Sequence, residues 1–144
     1  MNNILVVCIG NICRSPMAEV LLQQALPGRV VRSAGLGALV GKGADPHSIA
    51  LMAEQGIDLN GHVAQQISQS LVSDADVIFV MDTEQKQHIE SQFRGARGKV
   101  FRLAEAAGVD IPDPYREGID SFRNAYRLIA GGVQVWAGQI KQIG

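Results

Sequence analysis

Cysteine is almost missing from this chain: 144 residues carry two, Cys8 and Cys13, and both stand in one short segment. Cysteines that close together cannot staple distant parts of a fold, which excludes a disulfide scaffold and fits a reducing, cytoplasmic compartment. Long apolar runs are missing too. No stretch approaches the roughly 20 residues that cross a bilayer, and the N-terminus lacks the basic region and apolar core of a signal peptide, so no membrane insertion is expected. Bulk charge is also lacking: 13 basic against 14 acidic residues leave a formal net charge of −1, which draws neither nucleic acid nor an anionic membrane. The few histidines and cysteines form no cluster at metal-ligand spacing, so neither a metal nor another cofactor is expected. The lysine-bearing nucleotide loop G-x-x-x-x-G-K-[ST] is absent as well. Any anion chemistry must therefore be local.

One segment concentrates that chemistry. Ile4-Leu5-Val6-Val7 is an uninterrupted apolar run that suits a buried parallel strand, and it leads into Cys8-Ile9-Gly10-Asn11-Ile12-Cys13-Arg14-Ser15-Pro16. Ser15 is placed to cap a helix and Pro16 to occupy its first turn, where a missing N–H costs nothing. The loop between strand and helix then aims its backbone N–H groups, and the positive end of the helix dipole, at one small volume. Gly10 and Asn11 both tolerate positive φ, so the loop from Ile9 through Ile12 and Cys13 can curl its amides inward around a phosphate. Arg14 offers a planar fork that matches two phosphate oxygens, which lysine cannot supply. Cys8, beside a helix start and an arginine, has the surroundings of a nucleophile. The plainer alternative is a small buried cysteine and a solvated arginine; the complete string in a strand-loop-helix context favours catalysis.

Helical and strand-like segments alternate along the chain, which predicts an α/β fold with a parallel sheet flanked by helices. The spacing predicts a first helix ending at Pro27-Gly28, a short strand at Val30-Val31 leading into Ser33, and an irregular glycine-rich stretch from Gly35 to Gly43. Asp45-Pro46 starts another helix. A buried strand is expected at residues 77–81, with Asp82 just past it on the sheet edge where ligands collect, and a further strand near Val100-Phe101. Phe122, Tyr126, Ile129, Val133, Trp136 and Ile140 give the last helix its apolar stripe, interrupted by Gly131-Gly132, which implies close packing or a kink. His47 and His88 read as surface residues, and Arg94, Arg97, Lys99 and Arg102 as a solvated basic surface.

The loop string, together with Asp113-Pro114-Tyr115-Arg116 near the C-terminal helix, resembles the low-molecular-weight protein tyrosine phosphatases over essentially all of residues 1–144. The resemblance implies a single three-layer domain with a mainly four-stranded sheet. It makes Cys8 the nucleophile, Arg14 the phosphate clamp and Asp113 the proton donor. It also has Ser15 donate to the Cys8 sulfur, and has Asn11 hold the loop through Ser33, His62 and Asp82. Leu39, Val40 and Tyr115 would wall the substrate cleft. From its own spacing, with only four residues between, Cys13 reads either as a small packed residue or as the partner that captures an oxidised Cys8 as a reversible disulfide. Bacterial members with similar loops imply a phosphotyrosine protein as substrate, with a tyrosine autokinase of capsule or exopolysaccharide export as partner and inorganic phosphate as product. Arg116 replaces a tyrosine that many animal members carry.

Three rival readings accompany this one. Arsenate reductases with the same loop relay a disulfide through additional distal cysteines, and this chain has none beyond Cys13. Protein arginine phosphatases typically carry threonine where this loop has the bulkier Ile12. A phosphopeptide-binding module without turnover would not need Cys8, Arg14, Ser15 and Asp113 together.

Overall fold

The computed structural model describes residues 1–143. Along the chain, β1 (Asn3–Cys8) leads through the cysteine-bearing loop into α1 (Arg14–Ala25) and β2 (Val30–Gly35). Helices α2 (Pro46–Glu54) and α3 (Gln69–Asp74) precede β3 (Val77–Val80), α4 (Thr83–Gln92), β4 (Val100–Arg102) and α5 (Ile119–Ile143). The strands form one parallel sheet in the order β2-β1-β3-β4, with Cys8 level with Gly35 and Val6 level with Phe79. Strand alternation sorts the layers. Ile4, Val6, Val77 and Phe79 meet apolar residues of α1, α2 and α5, whereas Leu5, Val7, Ile78 and Val80 meet Val72 of α3 and Ile89 of α4.

The last helix runs unbroken through Gly131-Gly132. A Cβ on Gly132 would collide with the Leu103 carbonyl oxygen, whereas a Cβ on Gly131 would meet nothing within 4 Å. Trp136, one turn on, donates from Nε1 to that same carbonyl at 3.1 Å and packs its ring 5.0 Å from Phe79 and 5.3 Å from Phe101. Close docking, not a kink, therefore accounts for the glycine at 132. Gly132→Ala should lower stability by about 1–3 kcal/mol through overpacking, although alanine is the better helix former. Gly131→Ala should instead gain about 0.5–1 kcal/mol. Urea denaturation of the two variants gives the two signs.

Several expectations need correction. The second strand runs on from Val31 to Gly35, and α3 is an added element whose six residues are too few to carry a visible apolar stripe. The basic residues do not form one solvated surface. Lys99 Nζ donates to the Val72 and Ala75 carbonyls at the end of α3, each at 2.7 Å, and Arg102 pairs with Glu105 and Asp110 at 2.9 Å. His47 is half-buried, its ring 4.8 Å from that of Phe122. Among the described residues, no helix is long and apolar enough to cross a membrane.

Candidate active site

Cys8 ends β1, a central strand with β2 on one side and β3 on the other, so the loop after it opens at the carboxyl edge of the sheet where the strand order reverses. The neighbouring chain grips this loop by its carbonyls. The oxygens of Cys8, Ile9 and Gly10 accept from the amides of Leu36, Gly37 and Leu39, each at 3.0 Å, and that of Ile12 from the Asp45 amide at 2.8 Å. The Asn11 oxygen accepts from His62 Nε2 at 2.6 Å, which fixes the proton on that ring nitrogen, and the Cys13 oxygen accepts from Ser48 Oγ at 3.0 Å. Six successive carbonyls are thus engaged from outside. The N–H groups of Ile9 to Cys13 have no acceptor among the described residues. A ring of donors is left for an anion.

Asn11 alone in this loop takes a left-handed conformation, at φ 58°, while Gly10 does not, which corrects the expectation for Gly10. The glycine that the geometry does require is Gly35, where a Cβ would strike the Ile9 carbonyl oxygen. Ser15 is not the helix cap either. Cys13 occupies that position without a side-chain hydrogen bond, and Ser15 lies inside the first turn with its hydroxyl 2.9 Å from Cys8 Sγ.

The direction of that contact follows from the groups behind it. Asn11 Oδ1 accepts from the Gln65 amide at 2.9 Å, so Nδ2 faces Ser15 Oγ at 2.7 Å and Ser33 Oγ at 3.0 Å. Ser33 gives its proton to the Glu19 carboxylate. Ser15 therefore accepts from Asn11 and keeps its own proton for the Cys8 sulfur. Asn11, Ser15 and Ser33 come together as expected, with His62 on the loop backbone. Asp82 does not join them: it caps α4, accepting from the Gln85 amide at 2.8 Å.

Arg14 is 2% exposed, donates from Nη1 to the Ile111 carbonyl at 2.8 Å and holds Nη2 3.7 Å from Asp113 Oδ2. Its Nε is buried without any partner. A buried orphan donor is costly until an acceptor arrives, and Arg14 lines the same cleft as Cys8. Ile12, Gly37, Leu39, Asp113 and Tyr115 complete that cleft. Val40 does not line it and is 68% exposed, which corrects its assignment. Asp113 Oδ1 accepts from the Tyr115 amide at 3.1 Å, and the Arg116 guanidinium lies 5.2 Å from the Tyr115 ring centre, so the Asp113-Pro114-Tyr115-Arg116 turn is braced at both ends.

Burial, reinforced by Asp45, Cys8 and Asp113, pushes the Cys13 thiol well above its ordinary range. Four contributors escaped the sequence reading: Glu19, Ser48, Gln65 and the Ile111 carbonyl. Gly35 stood in it only as the start of the glycine-rich stretch, without its close approach to the Ile9 carbonyl.

The site has close counterparts. A family model described as low molecular weight phosphotyrosine protein phosphatase matches residues 3–143. The chain is 53% identical over its full length to the probable low molecular weight protein-tyrosine-phosphatase EpsP of Ralstonia nicotianae, covering 99% of that protein. It is 49% identical to the low molecular weight protein-tyrosine-phosphatase Wzb of Escherichia coli K12, across 94% of this chain and 93% of that one. It also superposes on Vibrio vulnificus Wzb in complex with benzylphosphonate with a TM-score of 0.92 and 41% identity, across 96% of this chain and 98% of that one.

Proposed function

This chain belongs to the low molecular weight phosphotyrosine protein phosphatase family, and from that premise we propose how its cleft hydrolyses protein phosphotyrosine: with Cys8 as nucleophile, Arg14 as phosphate clamp and Asp113 as general acid and base. The observation that carries the assignment is the buried, unpartnered Nε of Arg14, a residue that lines one cleft with Cys8 and with the loop whose amides are uncommitted. A phosphoryl group seated there has its equatorial oxygens on those donors, which match the charge spread in the transition state. Cys8 attacks phosphorus, the phenolic oxygen leaves with a proton from Asp113, and the same carboxylate then takes a proton from the water that releases inorganic phosphate. Ser15 stabilises Cys8 as the leaving group of that second step.

Ile12, Leu39 and Tyr115 give the cleft apolar and aromatic walls that suit a phenyl ring better than a guanidinium, which favours phosphotyrosine over phosphoarginine. A thiol-dependent arsenate reductase lacks its distal cysteine here. The physiological substrate is a tyrosine autokinase of an exopolysaccharide system, this phosphatase acts in the cytoplasm, and residues 1–144 act as one catalytic domain.

Asp113→Asn tests the acid role. Single-turnover rates on phosphotyrosine should fall about 100-fold, and those on a nitrophenyl ester only a few-fold, because an activated leaving group departs without a proton. Equal losses would make Asp113 a turn-forming residue alone.

Cys13 is the resolving thiol of the same site. Peroxide converts Cys8 to a sulfenic acid; attack by the Cys13 sulfur forms the S–S bond, and the Cys13 proton leaves with the hydroxyl as water. Because burial disfavours the Cys13 thiolate, capture should accelerate as pH rises. Cys13→Ser should retain turnover yet lose its recovery by thiol reductant after peroxide. Mass spectrometry without a Cys8–Cys13 bond in the oxidised wild type would remove this role.

A further inference from the structure

Across the ridge formed by Ile9 and Gly37, both of which also line the catalytic cleft, lies a second hollow walled by Leu36, Asp82, Glu84, Gln85 and His88. Two carboxylates face it and no lysine or arginine does. Asp82 commits one oxygen to the Gln85 amide, and Glu84, exposed in the first turn of α4, forms no ion pair among the described residues. Lys86, the nearest cation in sequence, turns away to lie 6.0 Å from the Phe101 ring centre. Gln85 supplies an independent sign. It is 2% exposed, its Oε1 is fixed by the Met81 amide at 2.9 Å, and its Nε2 is buried with no partner. A buried amide donor without an acceptor marks a place where a carbonyl is wanted.

Resting on the phosphotyrosine phosphatase reading of the adjoining cleft, we propose that this hollow is a subsite for the polypeptide flanking the phosphotyrosine, taking a lysine or arginine side chain on Asp82 and Glu84 and a main-chain carbonyl on Gln85 Nε2. Continuity with the cleft decides the occupant. A chain whose phosphotyrosine reaches Cys8 can cross the exposed Ile9 side chain, 43% accessible, and enter the hollow within a few residues. A metal ion is the poorer fit, since no three ligating groups converge there among the described residues. Asp82 and Glu84 are the carboxylates that a lysine or arginine would meet there. The enzyme thereby selects phosphotyrosines in a basic neighbourhood and disfavours acidic ones.

The test walks a single lysine or glutamate through the positions flanking phosphotyrosine in a peptide, with nitrophenyl phosphate, which has no flanks, as the reference substrate. At one or two positions lysine should raise kcat/KM about fivefold over glutamate at low salt, and the gap should shrink as ionic strength rises. Glu84→Gln should flatten that ranking and Glu84→Lys should invert it, each read as the ratio of peptide to reference rates. Brisk turnover of every peptide without a charge ranking, or a ranking unchanged in Glu84→Lys, would overturn the subsite alone. Turnover of nitrophenyl phosphate with none on any phosphotyrosine peptide would overturn the phosphotyrosine reading and the subsite with it.

Discussion

Cys8→Ser protein should fold normally, still bind phosphate, and turn over an aryl phosphate roughly 10⁴-fold or more slowly than the wild type. The substitution is nearly isosteric at a position 2% exposed, and the facing Ser15 hydroxyl can hydrogen-bond an oxygen as readily as a sulfur, so the melting temperature should hardly move. The cradle persists as well, because the donors that hold phosphate belong to Arg14 and to loop amides whose carbonyls are gripped from outside. Only the attacking atom changes, and a serine hydroxyl without an adjacent base is a poor nucleophile. Stopped assays on an aryl phosphate, with calorimetric phosphate binding on the same sample, separate the two functions. Residual activity near that of the wild type would end the covalent mechanism.

Arg14→Lys should cost about 100- to 1,000-fold in kcat, the loss usual for a donor aimed at transition-state charge. A lysine brings a compact charge but neither the buried Nε nor the planar fork, and it cannot hold the Ile111 carbonyl while reaching two phosphate oxygens. Phosphate affinity should weaken together with kcat, since the same donors act on the ground state. Both are read from steady-state kinetics and product inhibition. A rate within threefold of wild type would mean that net charge, not geometry, runs the site.

What could be read from the sequence was whatever is encoded locally. Cys8, Arg14 and the loop between them announce themselves because strand, turn and helix start are contiguous, and Asp113-Pro114-Tyr115 carries a turn in its own residues. Contacts that join distant segments left no such trace. The anchor for Arg14 is a backbone oxygen at Ile111, and a carbonyl has no residue identity to recognise. Glu19 and Gln65 reach the loop through Ser33 and Asn11, and on a helix or connector each resembles any solvated polar residue. Ser15 and Asp82 mislead for the same reason: Ser and Asp beside a helix start read as caps or as site residues, and only three dimensions decide. Asp82 proved to be the cap, and Ser15 was released to the sulfur because Cys13 had already turned helical.

The bond from Arg14 to Ile111 spans 97 residues, and the loop carbonyls reach to Leu36, Asp45, Ser48 and His62. No fragment of the chain holds the cradle by itself, so an oxyanion recognises the native state and not its partly folded precursors. Thermodynamic linkage then makes phosphate a stabiliser of the entire molecule, worth about 2.7 kcal/mol at a hundred times its dissociation constant. An enzyme at rest among millimolar phosphate would be protected from unfolding by its own product.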